Sequence, residues 1–133
     1  MSLHSFNLAS AVYSRLTGDT TLMGIVDGVY DDVPQDTKYP YVVIGEETTI
    51  NNGSKTLDGQ EYTITIHVWS RYRGFKETKQ IMERIYTLLH NYALAVTGAS
   101  LVNLRQEFTS TLMDADGLTR HGIIRFRAAI FDL

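Results

Sequence analysis

Cysteine is absent from this 133-residue chain, which excludes disulfides, Cys-ligated metals and thiol nucleophiles and leaves no redox mark of a compartment. Long apolar runs are missing as well. No stretch approaches the roughly 20 residues a helix needs to span a bilayer. The first residues, Met1-Ser-Leu-His-Ser5, lack the basic and apolar segments of a leader, so a cytoplasmic start is the expectation. Positive charge is not in excess. Twelve Lys and Arg against fifteen Asp and Glu give a formal charge of -3, which argues against a dedicated nucleic-acid binder. No GxSxG elbow, Walker loop, GxGxxG or HExxH occurs. Proline is limited to Pro34 and Pro40.

What is present fits one ordinary domain over residues 1–133: 44% of the chain is hydrophobic, enough for a real core. Tyrosine is frequent, at eight residues, which suits interfaces and half-buried sheets equally. The stretch that organises the rest is Glu61-Tyr-Thr-Ile-Thr-Ile-His-Val-Trp-Ser-Arg71. Tyr62, Ile64, Ile66 and Val68 share one parity; Glu61, Thr63, Thr65, His67 and Trp69 share the other. Period-two alternation in a β-branched run predicts a strand with one buried face.

Residues 5–17 read as a helix with Ser5 as N-cap, an apolar face of Phe6, Ala9, Val12, Tyr13 and Leu16, and Gly18 as a left-handed stop. Asp19 or Thr20 should cap a short second helix carrying Leu22, Met23, Ile25 and Val26. Val29-Tyr30 is extended, and residues 31–38 form a loop. Pro40 belongs at the first residue or edge of a strand that runs to Ile50. Asn51 to Gly59 carries two turn dipeptides and reads as an arm between antiparallel strands, either mobile or functional. Residues 75–93 predict the main helix, with Phe75, Thr78, Ile81, Met82, Ile85, Leu88, Leu89 and Tyr92 as its apolar stripe. A strand over 101–113 with interrupted alternation, a turn at Asp114–Gly117 and a return strand over 119–131 complete the chain. On that last strand Arg125 and Arg127 project from one face. Neither of its faces is cleanly polar, as a subunit contact would require.

Candidate chemistry is thin. His4, His67, His90 and His121 are scattered singly, and His67 as ligand or base lacks an identifiable partner. Glu46 and Glu47, as strand neighbours, point to opposite faces and cannot share a proton; solvated charge is the expected role. The turn Asp114-Ala-Asp-Gly117 lacks the further ligands of an EF-hand and reads as a plain hairpin turn. Basic residues gather weakly, as Arg71 and Arg73 beside Tyr72 and as Arg120, Arg125 and Arg127. They suit a solvated face, acidic groups of a neighbouring subunit, or a nucleic-acid backbone.

Several stretches occur in a telling order: Val29-Tyr30 before a Pro loop; Tyr39-Pro-Tyr-Val-Val-Ile-Gly45; Val68-Trp-Ser-Arg71; Gly74 before an amphipathic helix; and Asp116-Gly117 followed by Arg120-His-Gly122. Over nearly the whole chain this pattern resembles the tail-terminator, or tail-completion, proteins of long-tailed phages and gene transfer agents. The resemblance implies a small structural protein of the virion tail, assembled in the host cytoplasm. It implies a homo-oligomeric ring, commonly hexameric, that caps the tail tube, stops its polymerisation and meets the head connector. It brings no catalytic residue, cofactor or metal. DNA would pass through without specific binding. The expected fold is α+β, a mixed, mostly antiparallel sheet with the long helix on one face and the N-terminal helices at its edge. Lys55, Arg71, Arg73, Arg125 and Arg127 are the candidate contacts to neighbouring subunits or to the tube. The alternatives are another neck component such as a head-closure protein, a small hydrolase or ligand-binding domain using His67, and nucleic-acid binding through the arginines.

Overall fold

A computed structural model describes residues 3–51 and 58–133. Along the chain run α1 (Ser5–Thr17), α2 (Thr20–Met23), β1 (Val29–Tyr30), β2 (Tyr41–Asn51), β3 (Gly59–Ser70), α3 (Lys76–Leu89), β4 (Ala99–Met113) and β5 (Arg120–Asp132). The strands form one sheet in the order β1-β2-β3-β5-β4. Only β1 and β2 are parallel; the other three pairings are antiparallel. The fold is the expected α+β arrangement. The alternating stretch lies in β3, the middle strand.

The even-numbered side chains of β3, from Tyr62 to Val68, are fully buried. Ile124, Phe126, Ala128 and Ile130 of β5 extend that surface, and α3 covers it with Ile81, Ile85 and Leu89. Each large side chain removed from water there contributes about 1.5–3 kcal/mol, so this layer dominates the stability. The close approach of α3 depends on Gly122. A Cβ at that position would lie 2.6 Å from Met82 Sδ and 2.7 Å from Thr78 Cγ2.

α1 packs beside α3 and over β1 and β2. Its buried face matches the expected one at Val12 and Leu16 but takes Leu8 in place of Phe6 and Tyr13. Leu8, Val12 and Leu16 are fully buried, while Phe6 is 80% and Tyr13 46% exposed. Two apolar stripes overlap on this helix, and docking on β2 and α3 selects the one with four-residue spacing. Ser5 is not the N-cap. His4 holds that place without a side-chain bond, and Ser5 Oγ instead donates to Glu47 Oε2 at 2.9 Å. Gly18 is right-handed, at φ -79°, rather than a left-handed stop. The chain turns one residue later because Asp19, extended, caps α2 and accepts from the Leu22 N–H at 2.8 Å. Arg84 of α3 then grips both Asp19 oxygens at 2.8 and 2.7 Å.

α3 stops four residues short of the expected end. His90 is extended and Asn91 left-handed, at φ 59°, because β4 captures both residues. Asn91 N donates to Leu104 O at 2.7 Å, and Gln106 N donates to His90 Nδ1 at 3.0 Å. Tyr92 therefore leaves the stripe and lies under the Arg15 guanidinium at 3.6 Å. The interrupted alternation of β4 has a simple cause. Its register against β5 shifts twice, between Leu101 and Asn103 and between Gln106 and Phe108, as β-bulges do. The β4–β5 turn is the hairpin expected. Asp116 accepts from the Leu118 and Thr119 N–H groups, both at 2.8 Å, and from the Thr119 hydroxyl at 2.6 Å; Gly117 is left-handed at φ 68°.

Two outcomes follow from this packing. Gly122→Ala should destabilise the fold by about 1–3 kcal/mol, because Met82 and Thr78 must yield to the new methyl group; urea unfolding of both proteins measures it. The second concerns Asp19, whose pKa falls from 3.8 to about 2, mainly through its hydrogen bond from Arg84. Its folded pKa is depressed, so the stabilisation is present above pH 3.8 and is lost as pH falls towards 2. The urea midpoint of the native protein should therefore exceed that of Asp19→Asn at neutral pH, and the two should converge in acid.

Candidate interface on the open face of the sheet

The helices lie on the even-numbered side of β3, and among the described residues no helix covers the other side. Strand register fixes what that open face presents. Tyr41, Trp69, His121 and Leu112 form one row across β2, β3, β5 and β4. Val43, His67, Ile123 and Ser110 form the next. Farther along, Thr65 faces Arg125 and Phe108, and Thr63 faces Arg127 and Arg105.

The first two rows hold a chain of rings. Trp69 stacks on His121 with centroids 3.8 Å apart and planes 10° apart. His121 Nε2 lies 2.7 Å from His67 Nδ1, and His67 Nε2 lies 2.7 Å from Glu46 Oε1. An ionised carboxylate only accepts, so His67 carries its proton on Nε2 and its Nδ1 accepts from His121. Gly45 makes room for the ring: a Cβ there would lie 2.7 Å from His67 Cδ2. A register shift between Ile44 and Glu47 leaves Gly45 and Glu46 at a bulge, from which Glu46 reaches across. The bond from His67 is the main reason the Glu46 carboxyl sits below its usual range. Burial, with His67 alongside, pushes the His121 pKa below 6.5. Glu47 points the other way, to Ser5, so the two glutamates do face opposite sides. Glu46 is not merely a solvated charge, because its side chain, 68% exposed, holds His67.

The basic residues are mostly engaged within the chain. Arg125 Nε donates to Glu107 Oε2 at 2.8 Å, and Arg127 Nε to Glu107 Oε1 at 2.7 Å. Arg127 also pairs with Glu61. Glu107 occupies the second β4 bulge, which turns it towards both arginines. The Arg125 guanidinium rests 4.8 Å over the Phe108 ring. Arg71 bonds Thr119 Oγ1 at 3.1 Å and lies 4.5 Å over the Tyr39 ring. Arg73 is exposed and makes no ion pair among the described residues. Lys55 lies outside the described residues. The remaining histidines serve the fold: His4 Nε2 meets Asp132 Oδ1 at 2.6 Å, and His90 accepts from β4. No group of three or more His, Asp or Glu among the described residues has the geometry to hold a metal ion.

The telling stretches of the sequence thus meet at one end of the sheet. Arg71 joins Tyr39 to Thr119, Trp69 lies between Tyr41 and His121, and Ser70 Oγ donates to Glu77 at the start of α3, at 2.7 Å. Their pattern marks a way of closing this fold, with no reacting group at its centre. The comparison with known proteins agrees. The family model for tail completion protein gp17 matches residues 10–130. The chain belongs to the tail completion protein gp17 family. It is a structural protein of the virion tail, and the family is not enzymatic. The tail completion protein gp17 of Bacillus phage SPP1 is 31% identical over 128 residues, covering 96% of this chain and 95% of that protein. A solved structure of SPP1 gp17 is similar with a TM-score of 0.62 at 27% identity, over 100% of this chain and 96% of that one. A chain in the virion of a native gene transfer agent particle is similar with a TM-score of 0.88. It is also 27% identical, and the match covers 93% of this chain and 94% of that one.

Sequence reasoning singled out His67 in this tail completion protein but found it no partner. Glu46 and His121 lie 21 and 54 residues away, and no spacing rule connects them. The single tryptophan reports on the cluster. An imidazolium against an indole ring quenches its emission, and the half-buried His121 resists protonation, its pKa lying below 6.5. Trp69 fluorescence should therefore fall on acidification with a midpoint under 6.5, and His121→Gln should abolish that titration. Stability from the neutral ring should decline over the same range, since its folded pKa is the lower one.

Proposed function

We propose that this protein completes the phage or gene-transfer-agent tail as a homo-oligomeric ring. The ring, hexameric by family resemblance, sits on the finished tube, stops its polymerisation and offers a surface to the head connector or head-closure protein. The observation that carries this reading is the full-length likeness to a chain within an assembled gene transfer agent virion, with a TM-score of 0.88. The chain acts as one domain over residues 1–133. Lys55, Arg71 and Arg73 are assigned to contacts with the tube or connector. Arg125 and Arg127 contribute by fixing the open face of the sheet through Glu61 and Glu107. A net charge of -3 on each copy disfavours retention of DNA by its phosphates, as a conduit requires. No cofactor takes part.

The test is assembly. The purified protein should give a ring-sized species in light scattering and ring images in negative stain, and it should co-sediment with tail tubes. Binding to filled heads but not to tubes would favour a head-closure role instead.

A further inference from the structure

A ring needs two different surfaces on each copy, because head-to-tail contacts are heterologous. The two ends of the strand order supply them. At one end, a groove of about 480 Å³ opens between α1 and the β1–β2 edge. Phe6, Tyr13, Val29, Tyr30 and Ile44 line it, and Asp31 lies at its lip. Phe6 and Tyr13 belong to the α1 stripe that the core does not use. At the other end, β4 has no second strand partner among the described residues, and the chain at His90 and Asn91 bonds its backbone at Gln106 and Leu104. Val102 is 61% exposed there, and Phe108, Leu112 and Met113 are each about two-fifths exposed.

We infer that the β4 edge of one copy docks into the α1–β1 groove of the next copy, and that this is the repeating contact of the ring. Three observations favour a second copy as the occupant. The apolar surfaces lie on opposite edges of one sheet, as propagation around a ring requires. Their charges are complementary: Asp31 and Asp32 are exposed beside the groove, while Arg105 on β4 is exposed and has no ion pair among the described residues. Simple strand addition is disfavoured at both edges, since bulges at Val102 and Glu107 break the regularity of β4 and β1 has only two residues. Side chains entering a groove remain the available contact. A pocket of this size takes an aromatic ring with its neighbours.

The inference rests on the ring reading, and the experiment separates the two. Phe6→Glu blocks the groove, and Val102→Lys blocks the edge. Both positions are exposed, so both variants should melt within about 4 °C of the native protein. Should either fail to fold, Tyr13→Glu or Met113→Lys takes its place. Each variant alone should lose the ring and sediment as a monomer, and neither should ring on added tail tubes. Mixed one to one, they should form a discrete two-chain species, because one intact groove and one intact edge remain. Rings from the native protein, combined with rings from either variant, symmetric dimers from a single variant, or a mixture that stays monomeric, would overturn this surface assignment and leave the ring standing. A native protein that forms no ring, in solution or on tubes, would overturn both.

Discussion

One contact organises this molecule: the close approach of α3 to the even-numbered face of β3 and β5. It exists because the apolar parity of two paired antiparallel strands falls on the same side, and because Gly122 leaves space for Met82 and Thr78. Everything else is placed relative to it. α1 docks against α3 and β2, the Arg84–Asp19 pair ties α2 to the same helix, and the chain after α3 is drawn back onto β4. A chain of this size has apolar surface for one such layer. The opposite face of the sheet is consequently left without a helix, and its polar residues bond one another among Tyr41, Val43, Trp69, Ile123 and Leu112.

That mixed face explains why a search for chemistry finds residue types without a site. Glu46, His67 and His121 form a hydrogen-bonded line, yet both His67 nitrogens already serve neighbours, and the line ends in a stacked indole. Glu107 joins Arg125 and Arg127, with Glu61 beyond. Such networks hold strands in register across bulges that backbone pairing alone leaves irregular. Exposed ion pairs of this kind add little stability, on the order of 0–1 kcal/mol each. Their consequence is shape: a fixed, charge-compensated surface suited to lying against another protein.

Part of the apolar surface that the fold does not consume sits at the two edges, on α1 and on β4. For a tail completion protein this is the expected economy. The core closes the subunit, the bonded network on the open sheet face stiffens it, and the edges remain for assembly in the proposed ring. A single copy in isolation leaves β4 without a second strand partner on either side of the His90–Asn91 contact, a feature that soluble monomers usually hide.

Much of this architecture was legible in the residues. Alternation in β3, the heptad-like stripe of α3, the Asp19 cap and the Asp116–Gly117 turn are local signals, each governed by neighbours within about four positions. Local signals located the strands, three helices and the β4–β5 turn, and a resemblance of pattern pointed to the family. Failures came where two local solutions compete. α1 carries two apolar stripes, and Ser5 has both an orphan N–H and a distant glutamate within reach. α3 has helical periodicity beyond Leu89 but a stronger partner in β4. The cluster of Glu46, His67 and His121 was beyond reach, since register between distant strands brings it together. Local sequence thus determined which segments are helix or strand and which side of each central strand is apolar, because backbone propensity and side-chain periodicity act at short range. Only the tertiary structure decided which stripe of α1 is buried, which charges are already paired and which edges stay open, because those depend on what the rest of the chain brings alongside.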